Sequence, residues 1–253
     1  MSLASIDVSL IAPAFVAGLL VLATHVPLGA QVLKRGIVFI DLAIAQIAAL
    51  GVIGASMLDA DPRGPVVQIA AASSALLGAA LLTWTEKRWP KVQEAQIGTL
   101  FVLAATGGIL LLAHNPHGGE HLRDLLAGQI LWVGYSQLVV PAIGTALIVA
   151  ALVLLRRRMA QLGFYVVFAL AVTMSVQLIG VYLVFASLII PSLATRNLSG
   201  AIRLPIAFAI GALGYAIGLV LSSMFDLPAG ALIVWCLAVL AVAAYAMGPS
   251  DSR

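Results

Sequence analysis

The chain has 253 residues, 62% of them hydrophobic and 9% charged, with a formal net charge of +3 and a mean hydropathy of +1.13. A soluble domain is nearer half apolar and a quarter charged, so this composition excludes one. The single cysteine, Cys236, lies in an apolar run, which excludes a disulfide framework.

Apolar, weakly charged stretches of about 18 residues or more read as membrane spans. In chain order they fall at 8–28, 37–57, 66–85, 97–113, 138–155, 162–178, 179–195, 204–224 and 229–247. The fold class this predicts is all-α: a polytopic helical membrane protein of eight or nine spans, one transmembrane domain over 1–253. Helices satisfy their own backbone groups in lipid. The first span, from Val8, follows no basic segment and precedes no small-residue cleavage site, so it reads as retained rather than as a signal peptide. Residues 162–194 read either as one long broken helix or as a tight pair.

Asp41 is the only acidic residue inside a predicted span. A carboxylate there is costly and by default functional. The alternative is that it reaches water or pairs with Arg35 at the end of the span. His25 reads as a structural hydrogen-bonding residue. Gln46, Gln129 and Gln177 are intramembrane amides that line a polar path or bond between helices.

Between the fourth and fifth spans lies "HNPHGGEH", residues 114–121. It gathers His114, His117, Glu120 and His121, and imidazole with carboxylate suits zinc and other first-row metals. Pro116, Gly118 and Gly119 prevent a regular helix, so the loop can fold around an ion. The competing reading is a solvated loop whose histidines merely cap and hydrogen-bond. Residues 120–135 are too short to span and predict a re-entrant or interfacial half-helix.

Basic residues orient the spans. With the N-terminus outside, Lys34, Arg35, Lys87, Arg88, Lys91, Arg156, Arg157, Arg158, Arg196, Arg203 and Arg253 fall inside, and only Arg63 and Arg123 outside. That predicts an outside N-terminus, a cytoplasmic C-terminus and a metal-capture loop at the outer mouth of a pathway. No lysine follows a glycine and no HExxH occurs. A P-loop and a zinc-protease pair are therefore absent, and nothing supports an enzyme.

Three stretches together resemble the zinc/manganese ABC permease family. They are "PLGAQVLKRGIVFIDLAIAQIAALG" (27–51), "LLAGQILWV" (125–133) and "VQLIGVYLVFASLIIPSLATR" (176–196), with a weaker match at "DLPAGALIV" (226–234). The resemblance is spread over nearly the whole chain, and its most specific part is the Leu-Ile-Ile-Pro stretch. It implies the bacterial inner-membrane permease of a divalent-metal importer, zinc first. It also implies a homodimer, a cytoplasmic ABC ATPase subunit that alone handles ATP, and an extracytoplasmic metal-binding protein. No bound cofactor is expected beyond the transported metal.

The resemblance further implies that the loop after Pro191 contacts the ATPase. Pro191 is expected to end its span and project a short inward helix. Ser192, Thr195, Asn197 and Ser199 would start and cap that helix, with Arg196 and Arg203 at its edges. Two departures stand out. Gln46 replaces the family histidine, and Asp41 lies five residues before it rather than four, about 140° round the helix instead of about 40°. The loop at 156–163 is also shorter than the family pattern. A stand-alone cation channel or secondary carrier is the alternative function, and a non-transporting metal sensor a third.

Overall fold

The computed structural model describes residues 8–57, 64–112, 126, 128–154, 161–198 and 200–247. Nine α-helices run through them: α1 Val8–Arg35, α2 Ile40–Ser56, α3 Pro65–Arg88, α4 Gln93–Leu112, α5 Tyr135–Leu154, α6 Gln161–Ile179, α7 Val181–Ala194, α8 Arg203–Phe225 and α9 Ala229–Met247. Each sits on an expected apolar stretch. Seven are long and apolar enough to cross a membrane, and α2 and α7 are shorter. The fold is that of a polytopic helical membrane protein.

One open reading is settled and two expectations change. The sixth and seventh stretches form two helices parted by one residue, Gly180, at φ 80°. That backbone conformation is easy for glycine and costly for other residues. With 14 residues, α7 is about 21 Å long, which is short of a membrane core of about 30 Å. Pro191 does not end α7 either, since the helix continues to Ala194. Pro13, Pro27 and Pro141 likewise sit inside helices. Neighbouring helices and hydroxyl side chains can compensate freed backbone groups in membrane bundles; Pro191 leaves the Ser187 carbonyl without its amide donor, and one turn further on Thr195 Oγ1 donates to the Pro191 carbonyl at 3.0 Å.

With lipid outside, association rests on close packing and buried polar bonds. Small residues therefore mark the seams. Gly211 faces Leu22 across α1 and α8, and Gly214 and Gly218 face Leu237 and Ile233 across α8 and α9. The closest seam joins α1 to α7. A Cβ on Gly29 would overlap the Leu188 carbonyl oxygen and the Ser192 hydroxyl. Ser192 Oγ in turn donates to the Val26 carbonyl at 3.3 Å.

The main core cluster includes Phe164, Tyr165, Phe168 and Tyr215, all fully buried, and a small second one joins Ala17, Val133 and Leu138. The outward faces of α4, α5 and α9 expose large apolar side chains such as Leu110, Val140 and Trp235, as lipid contact requires. Between α4 and α5 the described part of the expected half-helix is Leu126 and residues 128–135, which hold a 3-10 turn at Ile130–Trp132 and the first residue of α5 in place of a half-helix.

Candidate functional site

Asp41 lies in the first turn of α2 and is 1% exposed. Its Oδ1 has no hydrogen-bond partner among the described residues. The alternative of pairing with Arg35 is not realised: the Arg35 guanidinium lies over the Phe164 ring, 4.1 Å from its centroid. A buried, unsatisfied carboxylate oxygen in a membrane bundle costs folding energy.

Gln46 is buried on the same helix. It lines a crevice with Ile53, Ala104, Gly108, Leu126 and Val181. This crevice brings together α2, α4, the 126–132 segment and the start of α7. Asp41 is not among its lining residues, in keeping with the different helix faces that spacing gives the two. Gln177, on α6, has a buried Nε2 without a partner among the described residues. Gln129 is exposed and precedes the 3-10 turn. The three glutamines therefore do not line one surface.

The contact between Gly128 and the α6–α7 link is backbone against backbone. Gly128 takes φ 67°, and a Cβ there would strike Ile179 O and Gly180 N. Only glycine fits both the left-handed conformation and the approach. The segment is thus seated on the break between α6 and α7.

At the opposite end of α7, Thr195 closes the helix and residues 195–197 form a turn. A 3-10 turn at Gly200–Ile202 leads into α8. Ser192 and Thr195 are buried and bonded to backbone carbonyls. They therefore neither start a helix nor offer a surface, which corrects their expected capping role. Arg196 and Asn197 are exposed, and Arg196 lies over the Tyr245 ring at 5.5 Å. Arg203 is half-buried at the start of α8, its Nε unpartnered among the described residues. The expected short helix is thus a turn followed by a single 3-10 turn.

His114, His117, Glu120, His121 and Ser199 lie outside the described residues. Among the described residues no three His, Cys, Asp or Glu side chains gather into a metal-holding group. His25 is fully buried, and its Nδ1 is 3.0 Å from the Val21 carbonyl. The Thr24 hydroxyl stands 2.9 Å from the same nitrogen, and Nε2 has no partner among the described residues.

Two polar ties lie outside the sequence reading. The Tyr165 hydroxyl donates to a Glu86 carboxylate oxygen, joining α6 to α3. Gln93, opening α4, donates to the Tyr165 hydroxyl and to the Leu82 carbonyl, each at 3.3 Å. Deeper in the bundle the Ser187 hydroxyl donates to the Leu183 carbonyl and stands 2.8 Å from the Tyr215 hydroxyl. With the serine proton committed, Tyr215 is the donor between them. No local pattern marks Tyr165 or Tyr215, because each sits in an apolar run and its partner is on a distant helix.

The described residues form a polytopic helical membrane bundle with isolated buried polar groups. The chain belongs to the ABC 3 transport family, which it matches over residues 7–248. It is 22% identical over 251 residues to the high-affinity zinc uptake system membrane protein ZnuB of Haemophilus influenzae, covering 91% of this chain and 94% of that one. It is 24% identical over 248 residues to the manganese transport system membrane protein MntC of Halalkalibacterium halodurans, covering 88% and 82%. Among solved structures it resembles PsaBC from Streptococcus pneumoniae, with a TM-score of 0.76, 20% identity and coverage of 96% of this chain and 92% of that one. That last likeness speaks for the fold.

Proposed function

We propose that this chain is the permease subunit of an ABC importer for a divalent metal ion, zinc before manganese or iron, in a bacterial inner membrane. The observation that carries the reading is its membership of the ABC 3 transport family over nearly its whole length, with relatives of similar extent named for zinc and manganese uptake. The buried Asp41 with an open oxygen adds a plausible cation stop inside the bundle. Energy comes from a separate ATPase subunit, since the sequence holds no P-loop. The working unit is a homodimer supplied by an extracytoplasmic metal-binding protein. The exposed turn at 195–197 and the following residues to Arg203 form the ATPase contact. In this reading Arg196 and Asn197 make the contact, while Ser192 and Thr195 hold the turn in place.

Metal uptake into vesicles containing the permease, with and without its ATPase subunit, tests this reading. Uptake that needs both supports it. Equal uptake without the ATPase returns the chain to the channel or carrier class. In the same assay, replacing His114, His117, Glu120 and His121 together by alanine is expected to lower uptake at limiting zinc severalfold while expression is kept, because solvated loops tolerate change and lost ligands weaken capture. Unchanged uptake means that the loop is only solvated.

The basic-residue asymmetry supports an outside N-terminus and a cytoplasmic C-terminus. Reporters fused after Asp61 and His117 are expected to read outside, and those after Lys91 and Arg157 inside. A cytoplasmic reading at His117 would remove the capture loop from the proposal.

A further inference from the structure

The end of α3 carries an exposed apolar and basic surface. Exposed apolar side chains descend one face at helical spacing: Leu77, Leu81 and Trp84 at 72%, 41% and 55% exposure. Arg88 follows four residues after Trp84 and prolongs the same stripe. Trp84 meets Trp89 edge to face, with ring centroids 5.5 Å apart. The Arg88 guanidinium lies 5.7 Å from the Trp89 ring centroid, within cation–π range. Residues 87–92 are all exposed, and they include Lys87, Arg88 and Lys91.

The two carboxylates of this corner are engaged elsewhere. Glu86 accepts from the Tyr165 hydroxyl, and Glu94 Oε1 accepts from the Phe39 amide at 3.3 Å. Three cations therefore project from a corner where Glu86 bonds to α6 and Glu94 turns one oxygen to the α1–α2 turn, its Oε2 buried without a partner among the described residues. Below them, along the helix, runs an apolar strip suited to acyl chains. Paired indoles at the junction match the level of a membrane interface, where Trp is enriched.

We propose that the corner formed by Trp84, Lys87, Arg88, Trp89 and Lys91 is a binding site for an anionic phospholipid. The headgroup phosphate sits against the three cations and the acyl chains lie along Leu77 and Leu81. Clusters of basic residues beside a span recognise anionic headgroups, and the Arg88 guanidinium, stacked on an indole, keeps its donors free for phosphate. The charge of the corner selects a phosphatidylglycerol-type lipid over a zwitterionic one. An acidic protein surface is the other occupant that three cations could attract, and the test separates the two.

The full chain in detergent is offered equal amounts of phosphatidylglycerol and phosphatidylcholine, and retained lipid is counted by native mass spectrometry. The wild type is expected to favour phosphatidylglycerol. The variant Lys87→Gln/Arg88→Gln/Lys91→Gln is expected to lose that preference by about tenfold, since basic residues near the surface add to the attraction. An unchanged preference overturns the site. So does a variant that keeps its preference but no longer retains the ATPase subunit, which makes the corner a protein dock.

A second measurement covers a variant that fails to fold. In a Trp132→Phe/Trp235→Phe background, only Trp84 and Trp89 report. Brominated phosphatidylglycerol in vesicles is expected to quench them more strongly than brominated phosphatidylcholine, and equal quenching overturns the proposal.

Discussion

Gly29→Val is expected to leave little folded protein. The α1–α7 seam has no room at this position: a Cβ overlaps the Leu188 carbonyl oxygen, which is backbone, and the Ser192 hydroxyl. A side-chain neighbour could rotate away, but a carbonyl inside a helix cannot move without breaking its own hydrogen bonds. Overpacking costs typically 1–3 kcal/mol and occasionally more, and a backbone obstacle belongs at the upper end, about 3 kcal/mol. Separating the helices also breaks the Ser192 to Val26 bond. Even Gly29→Ala is expected to lower the melting midpoint by several degrees. Gly54→Ala is the matched control, because a Cβ on Gly54 of α2 meets nothing within 4 Å. Alanine there is expected to be neutral or slightly stabilising. Thermal unfolding followed by size-exclusion recovery measures both. Equal midpoints for the two alanine variants would mean that the seam is looser than described.

Inserting two glycines after Asn197 is expected to abolish permease-stimulated ATP hydrolysis while the bundle stays folded. The turn at 195–197 is short and internally bonded: the Arg196 amide donates to the Leu193 carbonyl at 3.2 Å, and the Leu198 amide to the Thr195 carbonyl at 3.1 Å. Arg196 is further held over Tyr245. A rigid turn of this kind can carry force, and two glycines, free in φ and ψ, turn it into slack. The insertion lies in exposed chain, so its cost to the fold is small. The measurement is ATPase rate in vesicles at fixed subunit ratio, with melting as the folding check. Stimulation that survives the insertion but disappears on altering 86–96 moves the contact to the α3–α4 corner. The same result would count against lipid as the occupant of that corner.

The sequence spoke clearly about where helices lie and poorly about which faces meet. Lipid is as apolar as the protein interior, so a span such as α6 shows no polar stripe to mark its outward side. Gly29 and Gly128 were legible only as members of motifs. Their necessity comes from a partner backbone about 50 to 160 residues away, at Ile179 and Leu188. Pro191 illustrates the opposite error. In water a proline inside a helix is read as a stop, whereas α7, packed against α1, continues past it to Ala194. The Tyr165–Glu86 tie spans 79 residues, and no local pattern encodes it. The family resemblance located the turn after Pro191, but burial of Ser192 and Thr195 is a tertiary fact that reassigns them from the surface to its support.

The shortness of α7 has a mechanical meaning. Its first residue follows a break pinned by Gly128, and its last opens the exposed turn at 195–197. Between these points stands about 21 Å of helix, clamped to α1 along the Gly29 seam. A helix resists compression far better than a loop, so a displacement at Arg196 is expected to reach Gly180, beside the Gly128 contact, as one movement of α7.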